Sequence, residues 1–221
     1  MLKITDYKTL IFDFDGVLIN SNKIKSNCFR DVSTKYGKEV ADKLVLYHQE
    51  NGGISRHIKF KYFFDKILNV SNYDLEYQDI LKQYSNCVVN KIIKAEKFEK
   101  YDLIINLLNH KNFHIVSGSD QDELIEITKL IDIRKYFKNN IYGSPKNKDK
   151  IFKENIINNK ILFPALYFGD SKYDYISSSN NNIDFIFISS WTELSNWEDF
   201  CRINKIPNFN SLKEFISSIN R

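Results

Sequence analysis

Four short polar segments of this chain each follow an apolar run, and their side chains are of the types that bind phosphate and metal ions. In an open parallel sheet, ligands bind beyond the carboxyl ends of the strands, so residues at such ends meet at one edge. Together the four segments supply carboxylates, serine hydroxyls and lysines, which indicates a phosphate and metal site. The segments read Asp13-Phe14-Asp15-Gly16, Ser117-Gly118-Ser119-Asp120, Gly143-Ser144-Pro145-Lys146-Asn147-Lys148 and Gly169-Asp170-Ser171-Lys172-Tyr173-Asp174.

The apolar runs before these segments predict the strands that must position them. Short runs at 10–14, 113–116, 165–168 and 183–188, and a weaker one at Ile141 and Tyr142, alternate with helical patterns. Strands that alternate with helices imply parallel pairing through right-handed crossovers. The sequence therefore predicts an α/β fold with a doubly wound parallel-sheet core.

The segment from residue 21 to residue 95 differs, because its apolar residues recur at helical spacing and no strand is evident. Ser55 is a candidate N-cap for a central helix in this segment. We therefore predict a small α-helical cap at 21–95, inserted into a catalytic core made of 1–20 and 96–221. Three apolar stripes support the helices: Ile24, Cys28, Val32 and Tyr36; Ile58, Phe63, Phe64, Ile67 and Leu68; and Tyr73, Tyr77, Leu81, Tyr84, Val88 and Ile92.

In their order along the chain, the four polar segments resemble the four motifs of the haloacid dehalogenase superfamily of phosphohydrolases. In that family the first motif is Asp-x-Asp-Gly, the second a Ser or Thr after a strand, and the third a Lys before a helix. The fourth is Gly-Asp followed by a further Asp. The helical insertion is similar to the cap of the subgroup that includes phosphoglycolate phosphatase and β-phosphoglucomutase. The resemblance implies a Rossmann-like core, a small α-helical cap and a magnesium-dependent phosphatase.

The first motif would carry the covalent chemistry. A carboxylate can attack phosphorus and split hydrolysis into two easier displacements, which makes Asp13 the candidate nucleophile and aspartyl-phosphate the intermediate. Asp15, two residues along the chain, is the candidate general acid for the leaving group and then general base for water. Gly16 permits a tight turn and a close approach of the backbone to the phosphate.

A divalent cation is needed because a phosphate dianion facing a carboxylate would be repelled. The oxygen ligands available favour Mg²⁺, and we expect Asp13 and Asp170 to bind it directly. By resemblance, the backbone carbonyl of Asp15 is a further ligand. The resemblance also gives Asp174 a supporting role, through water or by orienting a lysine.

The second and third motifs offer groups that neutralise the phosphate. Ser117 and the amide of Gly118 can donate to phosphate oxygens near a helix start, although this pattern alone is typical of an ordinary strand-to-helix cap. By resemblance to Gly-Ser-Pro-x-x-Lys loops, the third-motif lysine is Lys148, with Lys146 as the alternate.

The cap contains an unusual pattern, Gly52-Gly53-Ile54-Ser55-Arg56. Family caps close over the core and set substrate choice, so Arg56 is a candidate clamp for a substrate phosphate or carboxylate, with Gly53 supplying the bend. His57 and Lys59 are weaker candidates. The alternative interpretation is a glycine-rich turn followed by an exposed arginine.

Composition restricts the partners. The chain has 221 residues and a net charge of +4, but its charges are interspersed, which gives no argument for nucleic-acid binding. No apolar run reaches the roughly 20 residues of a membrane span, so we expect a cytoplasmic protein, and the residue usage suggests a bacterial source. Three distant cysteines, Cys28, Cys87 and Cys201, favour reduced thiols over a disulfide framework. The oligomeric state, monomer or homodimer, stays open.

Phosphatase is the favoured activity, and two alternatives stay open. The acid at Asp15 disfavours a dehalogenase or a transport ATPase, because the members of the similar superfamily with those activities lack an acid at this position. A phosphomutase of the β-phosphoglucomutase type shares all four motifs, and a non-catalytic phosphate-binding module could retain the pocket. The expected substrate is a small phosphorylated metabolite, such as a sugar, polyol or glycerol-type phosphate or a surface-glycan precursor.

Overall fold

A six-stranded parallel sheet forms the centre of the protein in the computed structural model, which describes residues 3–99 and 112–219. The strand order is β3-β2-β1-β4-β5-β6. The chain builds the sheet outward from β1 in one direction and then in the other, which is the doubly wound arrangement. The strands are β1 (Thr9–Phe12), β2 (Asn112–Asp120), β3 (Ile141–Ser144), β4 (Ala165–Gly169), β5 (Asp184–Ile188) and β6 (Asn208–Phe209).

The predicted fold class and the five predicted strands are therefore confirmed. The sixth strand was not predicted, because two residues are too few to show a pattern. All four residues of β1 are buried, as expected for a central parallel strand covered on both faces. Leu10 and Phe12 pack in one hydrophobic cluster and Ile11 in the other, so the two faces of the sheet carry separate cores.

Helices cover both faces of the sheet and build the insertion after β1. Within the described residues, no helix combines the length and the apolar character that crossing a membrane requires. The helices are α1 (Asn22–Ser33), α2 (Lys38–Glu50), α3 (Arg56–Tyr62), α4 (Asp74–Ile92), α5 (Gln121–Leu130), α6 (Arg134–Phe137), α7 (Lys148–Ile157), α8 (Lys172–Ser179), α9 (Trp197–Ile203) and α10 (Leu212–Ile219).

The insertion contains α1 to α4, and the chain leaves and re-enters the core at adjacent points. Asn20 N donates to the carbonyl of Glu96 at 2.8 Å, and Phe98 N donates to the carbonyl of Leu18 at 2.9 Å. The two connecting segments therefore run side by side in opposite directions. We propose the boundaries 21–95 for the cap, with 1–20 and 96–221 as the core.

The core of the cap differs from the predicted stripe in one helix. Ser55 caps α3, accepting a hydrogen bond from His57 N at 3.3 Å, but Ile58 is 50% exposed rather than buried. The inward face of α3 instead carries Arg56, Lys59 and Phe60, followed by Phe63 one turn later. Ile58 was assigned inward because it is apolar, but helical periodicity places it opposite these residues.

The prediction of three reduced cysteines was wrong for two of them. Cys28 of α1 and Cys87 of α4 form a disulfide with a Cα–Cα distance of 5.8 Å. They are 59 residues apart in the sequence, and the packing of α1 against α4 brings them together. Cys201 is a free, buried thiol, as expected.

Candidate active site

Asp13 lies directly after β1, which pairs with β2 and β4, and its backbone is held by β4. Asp13 N donates to the carbonyl of Phe168 at 2.8 Å. The side chain is buried, with Oδ1 accepting from Phe14 N at 2.7 Å and Oδ2 lying 3.0 Å from Lys148 Nζ. The carboxylate is thus fixed at the carboxyl edge of the sheet.

Lys148 begins α7, after the N-cap Asn147, whose side chain accepts from Lys150 N at 2.8 Å. The Lys148 ammonium contacts Asp13 and Asp174 and lies 2.9 Å from Tyr167 Oη. Burial alone would lower the pKa of Lys148, but the two carboxylates outweigh it and raise the pKa above its ordinary value. The lysine is therefore charged.

Lys146, the alternate third-motif lysine, lies away from the acids. Its side chain is 53% exposed and pairs with Glu154 at 2.6 Å. The structure therefore brings Lys148, and not Lys146, to Asp13.

Asp174 is buried and saturated with donors. Oδ1 accepts from Lys148 Nζ and, at 2.9 Å, from Tyr167 Oη. Oδ2 accepts from the backbone amides of Asp170 and Ser171 at 3.2 and 3.1 Å and from Ser171 Oγ at 2.7 Å. This carboxylate orients Lys148 and fixes the fourth-motif loop.

Asp13, Asp170 and Asp174 form the candidate metal cluster, with one carboxylate oxygen from each within 4.8 Å of the others. Burial raises the pKa of Asp13 to about 7, reinforced by Asp174 and Asp15 and opposed by Lys148. Burial, Asp174 and Asp13 likewise raise the pKa of Asp170. An oxygen-only set of crowded acids fits a hard divalent cation such as Mg²⁺. Because Asp174 is engaged elsewhere, Asp13 and Asp170 are the acids best placed to hold it.

Gly16 lets the first and fourth motifs approach each other. Its φ is +76°, and a Cβ built on it would lie 2.0 Å from Asp170 Oδ2. Any side chain here would displace Asp170, which also accepts from Asn22 Nδ2 at 2.6 Å.

Asp15 is held by a ring of donors. Lys25 Nζ lies 2.5 Å from Oδ2, and the hydroxyls of Ser119 and Ser21 donate to the carboxylate at 2.6 and 2.5 Å. Burial would raise the pKa of Asp15, but Lys25 and these hydrogen bonds lower it to about 2. Sequence reasoning missed Lys25 and Ser119. The only available signal was position, since Ser119 belongs to the second motif and Lys25 is one turn into the helix after the first.

Ser117 and Gly118 lie in β2 where its register with β3 shifts, between Val116 and Asp120. Such irregularities redirect side chains next to functional sites. Ser117 Oγ is buried, accepts from Ser119 N at 3.1 Å and lies 3.4 Å from Asp15 Oδ2. A Cβ on Gly118 would lie 2.2 Å from the carbonyl oxygen of Gly53, so the cap loop rests directly on the second motif.

A cavity of about 70 Å³ lies between the acids and the cap. Groups of the first, second and fourth motifs line it, including Asp13, Asp15, Asp170 and Gly118, and the cap contributes Gly53, Arg56 and Lys59. The structure therefore places part of the predicted core residues and part of the predicted cap residues around one cavity.

Arg56 is buried, and much of its hydrogen-bonding capacity is used within the protein. Nη1 and Nη2 contact the two carboxylate oxygens of Glu123 at 2.7 and 2.5 Å, Nη1 also contacts Ser85 Oγ at 2.8 Å, and the guanidinium lies over the Tyr84 ring. The ion pair joins cap helix α3 to core helix α5. A substrate contact of Arg56 stays a prediction that would use its remaining donors.

Comparisons with known proteins identify the family and the fold of this chain. Residues 10–188 match the family model described as haloacid dehalogenase-like hydrolase. Comparison with curated proteins gave no match.

Solved structures share the fold over nearly the whole chain. A protein named as a candidate phosphoglycolate phosphatase, from Lactobacillus plantarum, has 19% identity and a TM-score of 0.72, covering 96% of this chain and 98% of its own. A hydrolase from Pseudomonas syringae has 13% identity and a TM-score of 0.75, with the same coverage. A protein named as a candidate β-phosphoglucomutase, from Bacteroides vulgatus, has 15% identity and a TM-score of 0.70, covering 96% of this chain and 87% of its own. With the family model spanning all four motifs, the chain belongs to the haloacid dehalogenase-like hydrolases.

Proposed function

We propose that this protein is a magnesium-dependent phosphatase that hydrolyses a small phosphorylated metabolite through an aspartyl-phosphate on Asp13. The observation that carries the proposal is the buried cluster of Asp13, Lys148, Asp170 and Asp174 at the end of the central strand. Asp13 and Asp170 open into a cavity that also contains Asp15.

The residues of the core divide the reaction between them. Asp13 forms a bond to phosphorus as the bond to the leaving oxygen breaks, and water later attacks the phosphorus of the aspartyl-phosphate. Lys148 supplies positive charge beside Asp13, while Asp174 holds that lysine in place. Ser117 and the Gly118 amide are proposed donors to the phosphoryl oxygens. Bound at Asp13, Asp170 and the Asp15 carbonyl, Mg²⁺ would neutralise charge on the transferring group.

Asp15 is the proposed general acid and general base. With a pKa near 2 it is ionised, which is the form that removes a proton from the attacking water in the second step. To protonate the leaving oxygen in the first step, Asp15 must first accept a proton, for which the adjacent Lys25 ammonium is the available donor. The proton that Asp15 takes from water in the second step then replaces the one it gave to the leaving group.

Phosphate release tests the proposal. We expect the purified protein with Mg²⁺ to release inorganic phosphate from at least one member of a panel of small sugar, polyol, glycerol and organic-acid phosphates, and a chelator to abolish release. Asp13→Asn should lower turnover by roughly 10⁴-fold or more while the fold stays intact, because it removes the nucleophile and conserves volume.

Asp199→Asn is the matched control, since this carboxylate is 66% exposed and pairs with Arg202 on the surface. Substantial turnover by folded Asp13→Asn would contradict the mechanism. Analysis of the products for an isomerised sugar phosphate separates a phosphatase from a phosphomutase.

A further inference from the structure

We propose that the cap wall of the cavity contains an anion subsite centred on Lys59, and that the substrate is a phosphate monoester of a small carboxylic acid whose carboxylate binds there. The inference rests on the proposed function, because it assumes that the phosphoryl group binds at Asp13. It replaces the broad class of small phosphorylated metabolites with a narrower one.

The first observation is the pairing of buried basic side chains. Among the described residues, four lysine or arginine side chains are buried, and three of them have carboxylate partners. Lys25 pairs with Asp15, Arg56 with Glu123, and Lys148 with both Asp13 and Asp174. Within residues 3–99 and 112–219, Lys59 is the buried one with no carboxylate within ion-pair distance.

The second observation is what surrounds Lys59. Its side chain is 3% exposed, and Nζ lies 2.7 Å from His48 Nδ1 and 5.7 Å from the centre of the Phe29 ring. Burial, Lys59 and Lys25 lower the pKa of His48, so the imidazole is neutral and offers no counter-charge. Burial and Lys25 also lower the pKa of Lys59 to about 7. An unpaired ammonium here is costly unless a ligand brings negative charge.

Several charged groups act on Lys59 without forming an ion pair with it. Lys25, Asp15, Lys148 and Glu193 are the groups whose charges act on Lys59. Glu193, the carboxylate among them that has no cation, accepts from Ser26 Oγ at 2.5 Å and from Gln49 Nε2 at 3.2 Å. Among the described residues no carboxylate forms an ion pair with Lys59, and Asp15 and Glu193 act on it only from a longer distance, which leaves the direct contact to a ligand.

The third observation is the position and size of the cavity. Asp13 lines its core wall and Lys59 lines its cap wall, so both border the space available to a molecule bound at Asp13. The volume of about 70 Å³ corresponds to several water molecules, which favours a short organic part. A neutral polyol phosphate would leave Lys59 unpaired, whereas a two- or three-carbon acid phosphate would pair it.

Matched substrates test the subsite. Phosphoglycolate is compared with 2-hydroxyethyl phosphate, and 3-phosphoglycerate with glycerol 3-phosphate, each pair being similar in size and differing in the carboxylate. We expect kcat/KM of the wild-type protein to favour the acid member of at least one pair by roughly 10- to 100-fold, as for a lost charge-assisted hydrogen bond.

Lys59→Met should remove that preference by lowering kcat/KM for the acid and changing the neutral ester by no more than about 3-fold. Lys61→Met is the control, because it makes the same change on the exposed side of the same helix. Lys59→Arg, which keeps the charge, should retain part of the preference. Should Lys59→Met fail to fold, the wild-type protein tests the subsite: we expect glycolate to inhibit it and ethylene glycol not to.

The outcomes separate this inference from the proposed function. Equal hydrolysis of acid and neutral esters by the wild-type protein overturns the subsite and leaves the phosphatase in place. An equal loss on both esters in Lys59→Met also overturns it, because it would place Lys59 at the transferring phosphate or in the fold. No phosphate release from any ester would overturn the phosphatase itself.

Discussion

Two buried lysines near the same cavity, Lys59 in its cap wall and Lys148 in contact with Asp13 of its core wall, are in contrasting electrostatic environments. On the core side, Lys148 contacts Asp13, Asp174 and the hydroxyl of Tyr167. On the cap side, Lys59 has neutral His48 as its neighbour and no carboxylate partner in the part of the chain that the structure describes. Burial affects both, yet the pKa of Lys148 is raised and that of Lys59 is lowered.

The difference distinguishes a lysine proposed to take part in the reaction from a lysine proposed to select the substrate. In the proposed mechanism Lys148 acts on every substrate, so it can stay paired with Asp13 and Asp174 within the protein. A group that selects a substrate is left without its partner until the substrate arrives, and it therefore reduces the stability of the free protein. Replacing Lys148 should therefore lower the stability of the free protein, whereas replacing Lys59 should raise it.

The largest effect is expected for Lys148→Met. Removing the ammonium leaves Asp13 and Asp174 buried without a cation, which typically costs about 3 to 5 kcal/mol of the free energy of unfolding. Turnover should be lost as well. Urea denaturation measures the change, and Lys146→Met is the control, which should leave the midpoint near that of the wild type. Mg²⁺ should restore part of the lost stability, because it neutralises the same acids.

A smaller effect, mainly on the rate, is expected for Asp15→Asn, which also costs some stability because it leaves buried Lys25 without its carboxylate partner. Loss of a general acid and base typically lowers the rate by roughly 10²- to 10⁴-fold, and the backbone carbonyl proposed as a metal ligand remains. Stopped-flow measurements of the two chemical steps should show the hydrolysis of the aspartyl-phosphate slowed. Full activity at saturating Mg²⁺ would mean that Asp15 only anchors Lys25 and the serines.

The smallest effect, of opposite sign to that of Lys148→Met, is expected for Lys59→Met in the absence of substrate. Replacing an unpaired buried cation with an apolar side chain should stabilise the protein by ~1 to 2 kcal/mol, or roughly 2 to 8 °C in Tm. The folded-state pKa of about 7 lies below the ordinary 10.5, so the unfolded chain binds the proton more strongly.

The gain from Lys59→Met should therefore be complete below pH 7 and should shrink as the pH rises from about 7 toward 10.5. Melting curves of both proteins across that range check it. A variant less stable than the wild type at pH 6 would show that the two lysines do not differ in the way inferred here.

The sequence was most informative where chemistry and strand position coincide. Asp13, Asp15 and Asp170 could be placed together because the carboxyl ends of parallel strands share an edge. Arg56 could be identified as unusual, but its pairing with Glu123 spans 67 residues and two elements, and no local pattern reveals such a distance. Ser119 was missed as a partner of Asp15 for the same reason, because 104 residues separate them. Lys25 is only 10 residues from Asp15, but its contact depends on how the helix after the first motif is oriented.

The corrections in the cap also have a common physical cause. Ile58 is exposed and the Cys28–Cys87 disulfide is formed because helix packing, and not residue type, decides which face turns inward. Apolar identity alone assigned Ile58 to the core. In β1 the sequence did not have to indicate which residues face inward, because both faces of a central strand are covered and all four residues are buried.

The side-by-side connection of core and cap, at Leu18–Phe98 and Asn20–Glu96, has a consequence for how this architecture can change. Because the chain returns to the core beside the point where it left, the closure entropy of the excursion grows only with the logarithm of its length. Helices can be added, lost or exchanged there without moving β1 or the strand ends that carry the acids. The architecture thus allows the helical insertion to change at one junction while the strand ends that carry the acids keep their positions.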